Sequence, residues 1–308
     1  MIRSITITNY LNESMIIDMM SPEKSGLAVS NIDGLGPAEA NISSSDLASS
    51  DGAIFNSARL STRQLVFTLL LVPNEQIDEI SNAEKVRRQI YKYFPIKKKA
   101  TITFKTDEKE AYVTGYVETC EPTIFDQNTS VDVTVLCLDP HFYDISEMST
   151  KFSGNVAAFS FPFSSIDTSI KFGSIITKTY NNIYYSGDSE VGILINMHAV
   201  GEVRNVKIYN TNTHESMIFN DDQIKALTGS TIVNGDDINI STIQGNKTIK
   251  LLRNGVEYNI LNALNRDADW FTLSKGDNSF AFTADEDEIS NPLNLIFTIN
   301  SSIIYEGI

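Results

Sequence analysis

Histidine, cysteine and tryptophan are scarce in this chain: three, two and one among 308 residues. His141, His198 and His214 are scattered, with no HxxH or HExxH spacing, so no zinc-hydrolase pattern can be assembled. Cys120 and Cys137 make neither a disulfide framework nor a zinc set. Basic residues are also short, 24 Lys and Arg against 39 Asp and Glu, for a net charge of -15. A surface that grips phosphate needs clustered Lys and Arg, so sequence-specific nucleic-acid binding is not expected. Long apolar runs are missing too. Stretches such as Leu65–Val72 fall far short of the roughly 20 residues that span a bilayer, so no membrane insertion is expected. The opening MIRSITITNY has no basic segment leading into an apolar one, which argues against a signal peptide and for synthesis in the cytoplasm.

What the chain does have is core-forming material: 42% apolar residues against 20% charged, too much to stay disordered. Its length suggests two domains. In the first half, Ser4–Thr8 alternates as a half-buried strand, and Met15–Met20, Arg63–Val72, Thr101–Lys105, Ala111–Thr119 and Val131–Leu138 read as further strands. "SNAEKVRRQIYKYFP" predicts a helix over about 81–94. Ser81 and Glu84 form a capping box, Ala83, Val86, Ile90 and Phe94 share one stripe, and Pro95 stops the run. The composition shifts near residue 145, and a Ser-, Gly- and aromatic-rich connection over 146–165 follows. Beyond it come regularly spaced short strands with turn signals, the clearest being Asn254-Gly255, and no helix long enough to count. The expected fold class is mainly β: an α+β N-terminal domain over 1–145, a β-sandwich with one packed helix, and a C-terminal β-sandwich over 166–308.

No stretch is built like an active site, and no catalytic, cofactor or metal site is expected. "DGLGP" at Asp33–Pro37 lacks the third glycine of a dinucleotide loop and the GK[ST] of a P-loop. "TADEDEISN" concentrates Asp285, Glu286, Asp287 and Glu288 without EF-hand spacing, and reads as a solvated loop between strands. Trp270 can be read as a sugar-stacking ring or as a core or rim residue. With a hairpin turn centred between Asn128 and Thr129, Cys120 would lie opposite Cys137. They would then be close enough to bond, or simply be two buried thiols. Eight basic residues and no acidic one run from Lys85 to Lys105: Lys85, Arg87, Arg88, Lys92, Lys97, Lys98, Lys99 and Lys105. They suit either a contact with an acidic partner or a solvated helix face. About twenty residues rich in Gly, Ser, Ala and Asp lie between Ile32 and Arg63, and loops of that length are usually functional or disordered.

Several stretches occur in a telling order. "IDGLGP", "DGAIFNSARLSTRQLVFTL", the basic helix, "KATITFKT", "YVTGYVET" and "VTVLCLDPHFYD" are followed by "FSFPFS", "YYSGDSEVGILINMHAVGEVRNVKIYNTNT", "WFTLSKGDNSFAF" and "IYEGI". Together they resemble the siphophage-type distal tail protein family, the component that nucleates the baseplate. The resemblance implies a virion protein of a bacteriophage or prophage-derived tail particle, made in the host bacterial cytoplasm and structural rather than enzymatic. It implies a homohexameric ring at the distal end of the tail, joining the tail tube protein to the tail-associated hub protein. A C-terminal galectin-like domain would carry receptor-binding or side-fibre proteins.

On this reading Asp33–Gly52 is expected to form an arm, a hairpin or belt that pairs with the adjacent protomer. Gly34, Gly36 and Gly52 would permit its bends, and Ile42, Leu47 and Ile54 would anchor it. The run Lys85, Arg87, Arg88, Lys92, Lys97, Lys98 and Lys99 is expected at a protein contact, between protomers or against the tube. The acidic balance would keep the lumen slippery to DNA. The alternative reading is a lectin-like carbohydrate-binding module for host-surface attachment, with Trp270 on the glycan.

Overall fold

A computed structural model describes residues 1–47, 51–123, 129–157 and 173–308, and only the backbone of 153–157 and 173–177. The chain divides into two compact units, residues 1–145 with 304–308 and residues 146–303. Residues 304–308, expected in the C-terminal sandwich, therefore fold with the first unit. The fold is mainly β throughout.

The first unit begins with β1 (Ile2–Thr8) and β2 (Ser14–Asp18), whose inward residues Ile5, Ile7, Met15 and Ile17 are buried. β3 (Leu27–Asp33) leads to a hairpin of β4 (Ala40–Asp46) and β5 (Ala53–Leu60), then β6 (Arg63–Leu71). After the helix come β7 (Lys99–Thr106), β8 (Glu110–Thr123) and β9 (Ser130–Cys137), and β10 (Phe142–Lys151) starts in this unit. The pairing is antiparallel, in the orders β2-β1-β7-β8 and β8-β9-β6-β3. β8 serves both halves. Its register against β9 slips between Val117 and Thr119, a bulge that re-aims the strand. Phe67 on β6 then stacks on Phe104 of β7 at 6.3 Å, closing one core between the halves.

α1 (Ala83–Tyr93) lays Val86 and Ile90 on that core, with Phe94 just beyond its end and 6.1 Å from Phe67. Its cap is Asn82 rather than Ser81. The Asn82 side chain accepts the Lys85 amide at 3.0 Å, while Ser81 Oγ donates to the Asp78 carbonyl of a preceding short turn. The expected facing of the two cysteines is also corrected, because Cys120 pairs with Val133 and Cys137 lies beside Arg63. Both thiols are free. The turn expected at 126–130 falls partly on residues 124–128, outside the described residues.

In the second unit β11 (Ser153–Ala157) pairs with β12 (Gly173–Thr177). There follow β13 (Tyr180–Tyr185), β14 (Val191–Gly192), β15 (Leu194–Ala199), β16 (Lys207–Asn210) and β17 (Ser216–Ile218). Next come β18 (Asp237–Ser241), β19 (Thr248–Arg253), β20 (Val256–Asn259), β21 (Thr272–Leu273), β22 (Gly276–Thr283) and β23 (Leu295–Tyr305). Two antiparallel sheets, β23-β15-β18-β19-β20 and β13-β22-β16-β17, face each other. Phe282 of one stacks on Phe297 of the other at 4.9 Å, with Phe152 edge-on to Phe297 at 4.8 Å. Asn254 and Gly255 take φ of 51° and 79°, the left-handed pair that a two-residue hairpin turn needs. Contrary to expectation this half holds a helix, α2 (Asp221–Thr228). It is capped by Asn220 and stopped by Gly229 at φ 84°. Residues 158–165 of the expected connection, with "FSFPFS", lie outside the described residues, and much of the rest belongs to β10 and β11.

Candidate functional site

The segment read as a long loop is mostly strand. β4 and β5 pair from Ala40↔Leu60 to Asp46↔Ala53, with an extra residue in β5 where Ser43 and Ser44 change register. Residues 48–50 at the tip lie outside the described residues. Every residue of both strands is exposed, so the hairpin projects from its unit without packing on it. The register sorts its side chains. Ala40, Ile42, Ala53, Phe55, Ala58 and Leu60 share one face with Ser44 and Asp46, while Asn41, Ser43, Ser45, Ser57 and Arg59 occupy the other with Ile54. Of the expected anchors, Ile42 is 63% exposed and Leu47 and Ile54 are exposed as well; Phe55, at 65%, was missed. A lone two-stranded hairpin is marginal in water, and one with an apolar face invites a partner.

Its root is rigid, and the reason is a residue that sequence reasoning passed over. Arg63, the first residue of β6, is 3% exposed and has no carboxylate partner among the described residues. It donates instead to four carbonyls: Nε to Pro140 at 2.6 Å, Nη1 to Gly34 and to Gly36, and Nη2 to Glu306 at 2.6 Å. Its guanidinium lies 4.3 Å from the centre of the Phe142 ring. Burial pulls its pKa below the usual arginine value. The planar fork suits this task because it carries five fixed donors. Ile308 N donates to Leu35 O at 3.0 Å, tying the same loop to the 304–308 segment. The signal was available: Arg63 is in phase with Leu65, Phe67 and Leu69, all buried, so it had to point inward.

The three arm glycines separate. Gly34 has φ +89°, and a Cβ there would sit 2.1 Å from the Gln64 carbonyl oxygen, so only glycine fits. Gly52 has φ +96° near the tip. Gly36 has an ordinary φ and open space around it, so the expected bend does not depend on its lacking a side chain. Its carbonyl is what the clamp uses.

The basic run proves to be two surfaces. Lys85 pairs with Asp78 at 2.6 Å, Arg88 with Glu84 at 2.7 Å, Lys92 with Glu13 at 3.1 Å and Lys105 with Glu110 at 3.7 Å. Those are ordinary solvated helix and strand pairs, each worth little. Arg87, Lys97, Lys98 and Lys99 have no acidic partner among the described residues.

In the second unit Trp270 is half-buried, with Lys247 Nζ 5.1 Å from its ring centre. It lines an open, polar cleft of about 1140 Å³ together with Arg204, Asp221, Asn262, Asn265 and Asp285. Asp221 Oδ1 and Arg204 Nε are buried there with no hydrogen-bond partner among the described residues, although Nε lies 3.7 Å from Glu202 Oε1, and burial raises the Asp221 pKa. The 283–291 loop is self-satisfied: Asp287 accepts the Ile289 and Ser290 amides and pairs with Arg204, which keeps its pKa low. No three His, Cys, Asp or Glu side chains cluster as a metal site among the described residues, and none of their helices is long and apolar enough to cross a membrane.

No protein-family profile and no curated protein matches the chain. Solved structures do. The crystal structure of the SPP1 Dit protein, described as a paradigm of the hub adsorption apparatus in Gram-positive-infecting phages, aligns at TM-score 0.62. The alignment covers 97% of this chain and 98% of that one, at 14% identity. The fold is that of a phage Dit protein. Two structures of the phage P2 baseplate in its activated conformation, with calcium and with strontium, align at TM-scores of 0.42 and 0.41 and identities of 11% and 10%. The first covers 97% of this chain and 98% of its counterpart, the second 97% of each. This Dit-like fold agrees with the family resemblance of the ordered sequence stretches.

Proposed function

We propose that this chain is a structural distal tail protein of a bacteriophage or prophage-derived tail particle. On this reading it closes into a homohexameric ring that joins the tail tube to the tail-tip hub and carries receptor-binding or side-fibre proteins. The observation that supports it most is the end-to-end likeness to the SPP1 Dit fold, since both units are included and no domain-sized insertion is left over. The exposed hairpin supplies a means of ring closure. A ring joins two different faces of one protomer, and a projecting arm with an unpaired apolar side is suited to reach a neighbour. Strands of seven and eight residues reach about 25 Å from their root.

Light scattering on the purified protein, with negative-stain images of the same peak, tests the reading. Six copies of the 34.2 kDa chain weigh about 205 kDa and should show a central hole. A strict monomer that also fails to join a purified tail tube and hub would refute it. A second reading, glycan binding by the second unit, draws on the polar cleft beside Trp270, because two buried polar atoms without hydrogen bonds among the described residues and an aromatic ring suit a hydroxyl-rich ligand. Glycan-array binding that is lost in Trp270→Ala would favour it. An array without a hit would remove it.

A further inference from the structure

The arm reading leaves open what the arm tip lands on. We propose that the outer ends of β4 and β5 in one copy, carrying Asp46 and Asp51, dock on the Lys97–Lys99 surface of the next, the two carboxylates against the unpartnered lysines. This rests on the arm reading and adds the receiving surface to it.

The tip is acidic and apolar. Asp46 closes β4 and Asp51 precedes β5; both are exposed, and neither has an ion pair among the described residues. Leu47, Ile54 and Phe55 are exposed beside them. Because all of β4 and β5 is exposed, this surface is not used by the chain's own first unit.

The receiving surface has the complementary make-up. The chain leaves α1 through Pro95, whose carbonyl accepts the Lys98 amide at 3.2 Å, and Lys97 takes a left-handed φ of 65°. Backbone bonds between Lys97 and Val117 at 2.9 Å and between Val117 and Lys98 at 3.1 Å fix that turn against β8. Three consecutive lysines are thus held outward on a rigid edge. Apolar surface surrounds them. Lys98 Nζ lies 5.2 Å from the centre of the Tyr10 ring, Lys99 is paired in register with Tyr116, and Leu11 and Ile96 adjoin. Tyr10, Leu11, Ile96 and Tyr116 are between 46% and 59% exposed. On a chain of net charge -15, a cluster of unpaired lysines inside an apolar rim is the surface that best fits an acidic, apolar tip. Tip and seat are different patches of one unit, so the contact can run head to tail from copy to copy around a ring.

A charge swap on the full-length chain tests this by sedimentation and light scattering over a concentration series in low and high salt. Lys97→Glu with Lys98→Glu, and separately Asp46→Lys with Asp51→Lys, should each raise the concentration for half-assembly about tenfold or more. The four substitutions together should return it to within about threefold of wild type, since the pairs are restored with signs exchanged. All four positions are exposed, so the monomers should melt as wild type does, and circular dichroism checks that. Reversals that leave assembly unchanged, or a quadruple variant as poor as the doubles, overturn the proposal. So does a wild-type chain that stays monomeric throughout the series. Replacing residues 40–60 by a short Gly-Ser linker separates the two levels. If this deletion abolishes assembly while the lysine reversal does not, the arm stands and the lysine seat falls; if the deletion assembles normally, both fall.

Discussion

Replacing Arg63 by methionine keeps most of the volume and removes every donor. Four carbonyls then lose their partner at once, those of Gly34, Gly36, Pro140 and Glu306. Gly34 and Gly36 line a cleft of about 630 Å³ at the hairpin root, where water can replace the lost bonds. Pro140 and Glu306 are half-buried and line no such cleft, so each lost bond there costs up to about 1–3 kcal/mol. Against this stands relief from holding an unpaired guanidinium out of water, which is itself unfavourable by several kcal/mol before its hydrogen bonds are counted. Loss of the cation–π contact with Phe142 adds about 1–2 kcal/mol. The losses sum to about 3–8 kcal/mol and the relief offsets part of them, so the net expectation is about 2–4 kcal/mol of destabilisation, a fall in Tm of roughly 5–15 °C for a unit of 150 residues. Calorimetry reads the stability, and hydrogen exchange should show faster amides at 34–36 and 304–308, with β1 and β7 little changed. Arg63→Lys should recover less than half of the loss, since one ammonium cannot face four divergent carbonyls. A methionine variant within about 0.5 kcal/mol of wild type, the range of a neutral surface change, would show that the clamp contributes nothing.

Gly34→Ala should destabilise the first unit by roughly 2 kcal/mol or more, from the positive φ and the Gln64 carbonyl together, while Gly36→Ala should be neutral within about 0.5 kcal/mol; chemical denaturation compares them. Burial pushes the Cys120 and Cys137 thiols up to about 11, so iodoacetamide at pH 8.5 should label the native chain far more slowly than the unfolded one, read by mass spectrometry. The same shift favours the neutral thiol in the fold, so its stabilising effect is whole below about pH 8.5 and is lost as pH rises through about 11. Asp236 is 1% exposed and bound by Arg253 through Nε at 2.8 Å and Nη2 at 2.5 Å; Asp236→Ala should weaken the second unit by about 3–5 kcal/mol in urea melts.

The parts legible in the sequence are those where period and burial coincide. β1, β6 and α1 were visible because apolar residues recur at two, or at three and four, and Asn254-Gly255 marked its turn. The hairpin strands were not visible. Ser43, Ser44 and Ser45 carry no apolar alternation, because neither face of β4 packs on the protein's own core. α2 was overlooked although Asn220, Asp221, Asp222 and Gly229 mark both ends, because eight residues with one buried side chain give too short a stripe. The cysteine register failed because the β8–β9 pairing is centred two residues earlier than the sequence suggested: Thr123 pairs with Ser130, so Cys120 meets Val133. The arm site was half legible. Its apolar residues and Gly34 stood out, but Arg63 hid among strand residues until its phase with Leu65 and Phe67 was weighed.

The Arg63 clamp also sets an order of events during synthesis. One of its four acceptors lies 243 residues downstream, and the ribosome must finish the whole second unit before Glu306 emerges. Until then the hairpin root holds at most three of its four ties, so a nascent chain carries a loosely seated arm. A polysome crowds many unfinished copies together, the setting in which a mobile apolar ribbon is most exposed to the wrong neighbour. Tying the root to residue 306 makes the arm rigid only once that distant stretch has been translated.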